Sequence, residues 1–357
     1  LQEYGLKNIH IDKTGNVIGT RPGTGSGPNL VLSAHLDIAF EKGVDTTVTK
    51  KNNKLYAPGI SDDNRGLAAI LSVARGLEDA NLQTVGDIIF VGTVGEENTF
   101  RGVRALFKER NDIDGFITVD GTSAKSIGYG STAGYTISFK FHGPGGHSWG
   151  NYERPSAIHA MGRAIDKISE WGNKDPKTAF NVGIVKGGTA ENAKAVNASM
   201  LMEFRTDGEN EESLKKKLLQ AVDNAVDQEN SHWGADTQNV TVDHKIKVKI
   251  PGGRLAKSSM MVQAATASTD AVGEQPVFID SGMTDANYSF GAGIPGINLG
   301  GGGDSDNAHS LDEWYDPIDA YLGPQKIFLT ALGLVGVDGV SDPLLTNNRS
   351  SSTENDN

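Results

Sequence analysis

The sequence predicts an α/β fold in which a mostly parallel sheet is interrupted by a smaller inserted module, and three observations carry that prediction. Apolar strand-like runs alternate with helix-spaced segments between residues 29 and 120, the order that builds a parallel sheet covered on both faces. From Ser131 the pattern switches to strands of alternating polarity in the order β-α-β-β-α-β, that of a ferredoxin-like module. After residue 250 the strand–helix alternation resumes.

Taken in order, the chain opens with a hairpin pattern over residues 9–20 (IHIDKTGNVIGT) and a Gly/Pro-rich turn at 22–28. Asn29–Asp37 (NLVLSAHLD) suits a buried strand with a polar end. From Asn64 onward, Leu67, Ile70, Leu71, Ala74 and Leu77 recur at helical spacing. Strands are expected at Asp87–Thr93 and Gly115–Asp120, with a short helix after Arg101. In the insert, Tyr135–Phe141 alternates, Pro155–Trp171 is helical, Phe180–Val185 and Ala198–Arg205 are strand-like, Glu211–Gln228 is helical and Val240–Ile250 alternates again. A helix over Leu255–Ala271, strands at Gln275–Ile279 and Ile294–Leu299, and a helix over Ile318–Val335 complete the second half. The expected organisation is one domain in two pieces, 1–131 and 251–345, around an inserted domain at 132–250. Residues 346–357 (TNNRSSSTENDN) hold no apolar side chain and are expected to be disordered.

Composition narrows the chemistry. The 357 residues include 45 acidic and 33 basic side chains, a formal charge of −12, which argues against a nucleic-acid partner. The absence of cysteine excludes disulfides, thiolate metal sites and a cysteine nucleophile. No apolar run approaches the ~20 residues of a membrane span, so no membrane partner and a soluble, cytoplasmic protein are expected. The chain opens on Leu1 rather than Met, which is compatible with a removed leader.

Acids and histidines gather where predicted strands run into loops. His35 and Asp37 are two apart, so on an extended strand both point to one side, where a carboxylate can hold an imidazole in the tautomer a metal needs. In GISDDNRG, Asp63 precedes the helix and suits its N-cap, which leaves Asp62 unexplained. Glu96 and Glu97 follow a buried strand, where charge is expensive unless compensated, and a cation would compensate it. Adjacent carboxylates there diverge, so one can bind metal while the other faces a substrate; a retaining glycosidase needs two that face each other at ~5 Å. Asp120 ends the next strand, and His309 follows the glycine run Gly300–Gly303.

The series SAHLD, GISDDNRG, VGEEN, VDG and NAHSLDEW, over roughly residues 29–335, resembles the dinuclear zinc peptidases and deacylases that include peptidase T, bacterial glutamate carboxypeptidase, acetylornithine deacetylase and succinyl-diaminopimelate desuccinylase. The resemblance implies a zinc-exopeptidase catalytic domain with an inserted ferredoxin-like domain serving as lid or dimerisation module. It implies that Asp62 bridges two divalent ions, zinc or alternatively cobalt or manganese, with His35 and Asp120 completing one site and Glu97 and His309 the other. Glu96 would be the general base, Asp37 would orient His35, and the Asp62–Asp63 peptide would be cis. Two such ions ~3.5–4 Å apart acidify a water and polarise a scissile carbonyl. In GGHSWG, His147 resembles a histidine that reaches a neighbouring subunit's site and stabilises the oxyanion, which implies a homodimer. Asn192 and Arg205 fit the positions of a substrate-binding asparagine and arginine, although Ala193-Lys194 replaces the usual Ile-Pro after the asparagine. Gly282–Asp285 (GMTD) resembles a loop near the substrate. The Asp62-Asp63-Asn64 sequence looks more like the peptidase T branch, so short peptides are the expected substrates and N-acyl amino acids the alternative.

Two rivals differ in class. Gly146–Gly150 (GHSWG) matches the G-x-S-x-G nucleophile elbow of serine hydrolases, but the elbow needs a strand running straight into Ser148 and a helix straight out. A non-catalytic scaffold of the same fold would be expected to have lost a ligand or the base, and none is missing.

Overall fold

The computed structural model describes residues 1–25, 27–171, 178–207, 211–233 and 238–347. Two compact units are present: Leu1–Ser131 with Arg254–Asn357, and Thr132–Gly253 between them.

The first unit begins with β1 (Lys7–Ile11), β2 (Val17–Arg21), β3 (Asn29–His35), β4 (Thr49–Lys51), β5 (Lys54–Tyr56) and α1 (Asn64–Asp79), then β6 (Asp87–Thr93), α2 (Arg101–Glu109), β7 (Gly115–Val119), β8 (Ser126–Gly128) and β9 (Gly130–Ser131). The second unit holds β10 (Ala133–His142), β11 (Gly146–His147), α3 (Ala157–Ser169), β12 (Ala179–Gly187), β13 (Ala193–Lys194), β14 (Asn197–Thr206), α4 (Glu211–Trp233) and β15 (Thr241–Ile250). After β16 (Gly253–Arg254) the first unit resumes with α5 (Met260–Ala271), β17 (Val277–Ile279), α6 (Ala286–Gly291), β18 (Gly296–Leu299), β19 (Asp304–Asp306), β20 (Trp314–Asp316) and α7 (Leu322–Val335).

The first unit is built on an eight-stranded sheet in the order β1-β2-β6-β3-β7-β18-β8-β17. β3 runs parallel to β6 and β7, and β18 parallel to β7. Every residue of β3 and β7 is buried, which is why these strands read as continuous apolar runs. α1 turns Ala69, Ile70, Val73, Ala74 and Leu77 into the core against Leu30, Leu32, Ile117 and Val119. The fold class is the predicted one, a large mostly parallel sheet in an α/β molecule.

The second unit carries a four-stranded antiparallel sheet, β12-β14-β10-β15. With α3 and α4 this is the β-α-β-β-α-β order read from the sequence. Its core joins Tyr135, Ile137, Phe139 and Phe141 of β10 to Met200, Met202 and Phe204 of β14 and to Ala160, Ala164, Leu218 and Val222 of the helices.

Differences from the sequence-based expectations are local. α5 starts at Met260 rather than Leu255, because residues 256–259 close a turn in which the Ser259 N–H donates to the Ala256 carbonyl. α7 starts at Leu322 rather than Ile318, which puts Pro324 in its first turn, where a missing N–H costs nothing. A second sheet of the first unit, β19-β20-β5-β4, was not anticipated, since its strands are three residues each and too short for periodicity. The tail expected to be disordered lies, from residue 348 on, outside the described residues. Among the described residues no helix is long and apolar enough to cross a membrane.

Candidate metal centre

The parallel register delivers the chemistry to one edge. His35 pairs with Thr93 across β3 and β6, and Ser33 with Thr118 across β3 and β7. His35, the Gly95–Glu97 loop and Asp120 therefore emerge together at the carboxyl ends of adjacent strands, where open α/β sheets hold their ligands. Asp63 is the N-cap of α1, as its sequence position suggested: one oxygen accepts from Gly66 N–H at 3.0 Å, the other from His35 N–H at 2.9 Å. Only glycine fits at position 66, since a Cβ there would lie 2.1 Å from the Val119 carbonyl. The Asp62–Asp63 peptide is cis, as the resemblance implied.

The structure brings His35, Asp62, Glu97, Asp120 and His309 together. Asp62 Oδ1 lies 2.9 Å from His35 Nε2, and Asp62 Oδ2 lies 3.0 Å from His309 Nε2, which is also 3.1 Å from Glu97 Oε2. Ligand atoms of His35, Asp62 and Asp120 fall within 4.8 Å of one another, and so do those of Asp62, Glu97 and His309. The His309 side chain is half exposed, so the cluster is open to solvent on that side.

Charge in this cluster is unevenly balanced. Burial pushes Glu96 and Glu97 upward, reinforced by the Asp120 carboxylate for Glu96 and the Asp62 carboxylate for Glu97; burial likewise raises Asp120. Burial would also raise Asp62, but its bonds and charge pairing with His35 and His309 outweigh that and hold it low. His35 shows the reverse balance: burial opposes its charge, yet the Asp62 hydrogen bond and the acids at 63, 120 and 96 hold it well above the usual histidine range. Its Nδ1 faces the Asp37 carbonyl and its Nε2 faces Asp62, so a neutral ring protonated at Nδ1 leaves Nε2 as a metal donor.

These residues fit divalent cations on three counts. Carboxylates and imidazoles form a mixed donor set suited to zinc, cobalt or manganese. Glu97 Oε1 is buried with no hydrogen-bond partner among the described residues. Burial, and after it the neighbouring acids, raises the carboxyls of Glu96 and Glu97, and the ion pairs of Asp62 and Glu97 among the described residues are with histidines alone.

Asp37 faces His35 more closely through its backbone than through its carboxylate. Its backbone carbonyl, not its carboxylate, faces His35 Nδ1 at 3.0 Å, while the nearest carboxylate oxygen is 3.9 Å from that nitrogen. The carboxylate instead accepts from the backbone N–H groups of Gly95 (2.6 Å), Glu96 (3.2 Å) and Glu97 (3.3 Å). The strand ends at His35, so the alternation that would have put both side chains on one face stops there.

His147, Asn192 and Arg205 belong to the second unit. Strands β11 and β13 pair His147 with Ala193, and the Ser148 N–H donates to the Asn192 carbonyl at 2.9 Å, so His147 and Asn192 share one exposed turn region. Arg205, on the exposed side of β14, sits 3.4 Å from Glu203. Ser148 lies in a turn, and the next helix begins only at Ala157; the nucleophile-elbow geometry is absent.

Two acids of the centre had been quoted within motifs but given no role. Asp285, of the GMTD stretch, is buried, accepts from Thr93 Oγ1 at 2.5 Å through Oδ2, leaves Oδ1 unpartnered, and adds its charge to those acting on Glu96. Glu313, in NAHSLDEW, is fully buried and accepts from Gly59 N–H, Ser61 N–H, Ser61 Oγ–H and Asp62 N–H. The available signal was the acid pair Asp312-Glu313 before a tryptophan, which does not separate a core carboxylate from a surface one.

Comparison with known proteins places this geometry. Residues 31–332 match peptidase family M20/M25/M40. Carboxypeptidase G2 of Pseudomonas sp. (strain RS-16) is 27% identical over 198 residues, 53% of this chain and 47% of its own length, so the matched stretch spans about half of that relative. Among solved structures, aminopeptidase PepT from Bacillus cereus ATCC 10987 aligns with a TM-score of 0.76 at 23% identity, covering 92% of this chain and 89% of that one. A tripeptidase from Staphylococcus aureus subsp. aureus Mu50 aligns at 0.77 and 24%, covering 92% and 88%. With a match over most of its length and two groups of metal-binding side chains at its strand ends, the chain belongs to peptidase family M20/M25/M40, a family of metal-dependent hydrolases.

Proposed function

We propose that the chain is a metal-dependent aminopeptidase, or di- or tripeptidase, that hydrolyses an amide bond of short peptides. What carries this is the sharing of Asp62, whose two oxygens face different imidazoles at 2.9 and 3.0 Å. His35, Asp62 and Asp120 would hold one cation, and Asp62, Glu97 and His309 the other. Zinc is the proposed metal, and the donor set also accommodates cobalt or manganese. Bound divalent ions supply Lewis acidity, polarising a carbonyl and acidifying water.

The chain's own residues do the rest. Glu96 is buried beside both donor groups and belongs to neither; it accepts the proton of the attacking water and passes it to the leaving amine. Asp37 fixes the loop that presents Glu96 and Glu97. In a homodimer, His147 of one subunit stabilises the oxyanion at its partner's centre, while Asn192 and Arg205 bind substrate, Arg205 through a substrate carboxylate. A peptide rather than an N-acyl amino acid is favoured by the Asp62-Asp63-Asn64 sequence and by likeness in fold to proteins named as an aminopeptidase and a tripeptidase.

The test is a screen of tripeptides, dipeptides and N-acetyl amino acids with added zinc, cobalt or manganese. Release of the N-terminal residue from short peptides, abolished by a chelator, is expected. Turnover confined to N-acetyl amino acids would replace the peptidase reading with the deacylase one, and turnover indifferent to chelation would remove the metals from the mechanism.

A further inference from the structure

We infer that Glu313 is a positioning residue whose buried carboxylate folds the Gly59–Asp62 turn and so sets both oxygens of Asp62 for the two cations; this rests on the two-cation reading above. Glu313 is wholly buried, and a buried carboxylate persists only where donors replace its water. The four donors all come from one short turn: Gly59 N–H at 2.6 Å to Oε2, and Ser61 N–H (2.9 Å), Ser61 Oγ–H (2.6 Å) and Asp62 N–H (3.0 Å) to Oε1. The last of these belongs to the shared ligand itself, so the carboxylate anchors the backbone from which the Asp62 side chain springs.

The turn is shaped for this anchor. Gly59 has φ 74°, and a Cβ there would lie 2.2 Å from Ile38 Cγ2; glycine lets its N–H turn toward Glu313. The other side is equally fixed. Glu313 precedes β20, whose Trp314 and Tyr315 pair with Tyr56 and Leu55 of β5, and its own N–H donates to the Ser310 carbonyl at 3.2 Å. That turn begins at Ser310, the residue after His309. One carboxylate therefore ties the segment carrying His309 to the turn carrying Asp62, and the two residues meet at 3.0 Å. A carboxylate is required because every partner is a donor: glutamine keeps the shape, but its amide would point N–H groups at N–H groups.

The experiment is a titration of the metal-stripped full-length chain with Co²⁺, followed by visible absorption and calorimetry, for wild type, Glu313→Gln and Ser61→Ala, with the melting temperature of each metal-free protein measured alongside. Glu313→Gln is expected to weaken binding of both Co²⁺ ions by about 10–100-fold, the range for losing an outer partner of a metal site, and to alter the absorption band of the folded protein. Ser61→Ala keeps the carboxylate and removes one donor, so a smaller loss in the same direction is expected; it decides the matter alone should Glu313→Gln not fold. Wild type taking up two Co²⁺ while both variants bind them with unchanged affinity and spectrum overturns the role of Glu313 and leaves the two-cation reading standing. Wild type taking up none overturns that reading itself.

Discussion

Lys326 of α7 is fully buried, and its ammonium donates to two backbone carbonyls, Ala124 at 2.8 Å and Ser126 at 2.6 Å, with no carboxylate partner among the described residues. Burial pulls it from the usual 10.5 to about 7. Because the folded value is depressed, the unfolded chain binds the extra proton between these limits, so stability rises with pH across that window and the cost of burying the charge is fully felt below about pH 7. Integrating from about pH 6 to pH 9 gives a rise of about 2.7 kcal/mol for this one group, as an order of magnitude. The perturbation is Lys326→Met, which keeps the length and removes the charge. Its absolute effect on stability mixes two opposing terms, relief of the buried charge and loss of donors to two carbonyls at about 1–3 kcal/mol each. The pH slope separates them, because orphaned carbonyls do not titrate. Denaturant unfolding of metal-loaded wild type and variant across about pH 6–9 should show wild type gaining on the variant by roughly 2–3 kcal/mol. Parallel pH profiles for the two proteins would refute the reasoning.

Three further outcomes follow from the site. Glu96→Ala should retain its metal, since Glu96 lies outside both donor groups, and lose about 10²–10⁴-fold in kcat with the proton acceptor; metal content and steady-state rates check both, and wild-type turnover would remove Glu96 as the base. His147→Ala, in an exposed turn of the second unit, should leave the subunit folded but nearly inactive, and mixing it with Glu96→Ala subunits should restore activity if the histidine acts across a dimer. Chelation should lower the melting temperature, because a cation held at 100 times its Kd contributes about 2.7 kcal/mol per site to the folded state; identical melting curves with and without chelator would count against bound cations.

How much of this was legible in the letters depends on what kind of contact writes it. Strands β3, β6 and β7 and the face of α1 announce themselves because burial on both sides imposes unbroken apolar runs and a single helical stripe. His35, Asp62, Glu96, Glu97, Asp120 and His309 stand out because charge at the end of such a run is chemically conspicuous. For Asp37 the letters do not settle whether carbonyl or carboxylate lies nearer His35, since that choice turns on the backbone leaving the sheet after His35. Glu313 was invisible for a different reason: its donors are backbone N–H groups more than 250 residues away in the chain, and a backbone donor leaves no trace in side-chain identity.

That contrast sorts the acids of the centre into two kinds. Asp37, Asp63 and Glu313 are occupied by the protein's own N–H groups: three for Asp37, two for Asp63, and three with a hydroxyl for Glu313. Those bonds come with folding, so these three acids act as frame. Asp62 and Glu97 face imidazoles, and Glu97 keeps a buried oxygen with no hydrogen-bond partner among the described residues. Backbone N–H groups are the cheapest compensation available to a carboxylate at a strand end, and the frame acids show that this fold supplies them in plenty. Asp62 is held low by two imidazoles and Glu97 is raised by burial and by Asp62, so the backbone leaves both carboxylates to side-chain partners where the sheet ends converge, and divalent cations match that place in sign and in donor type.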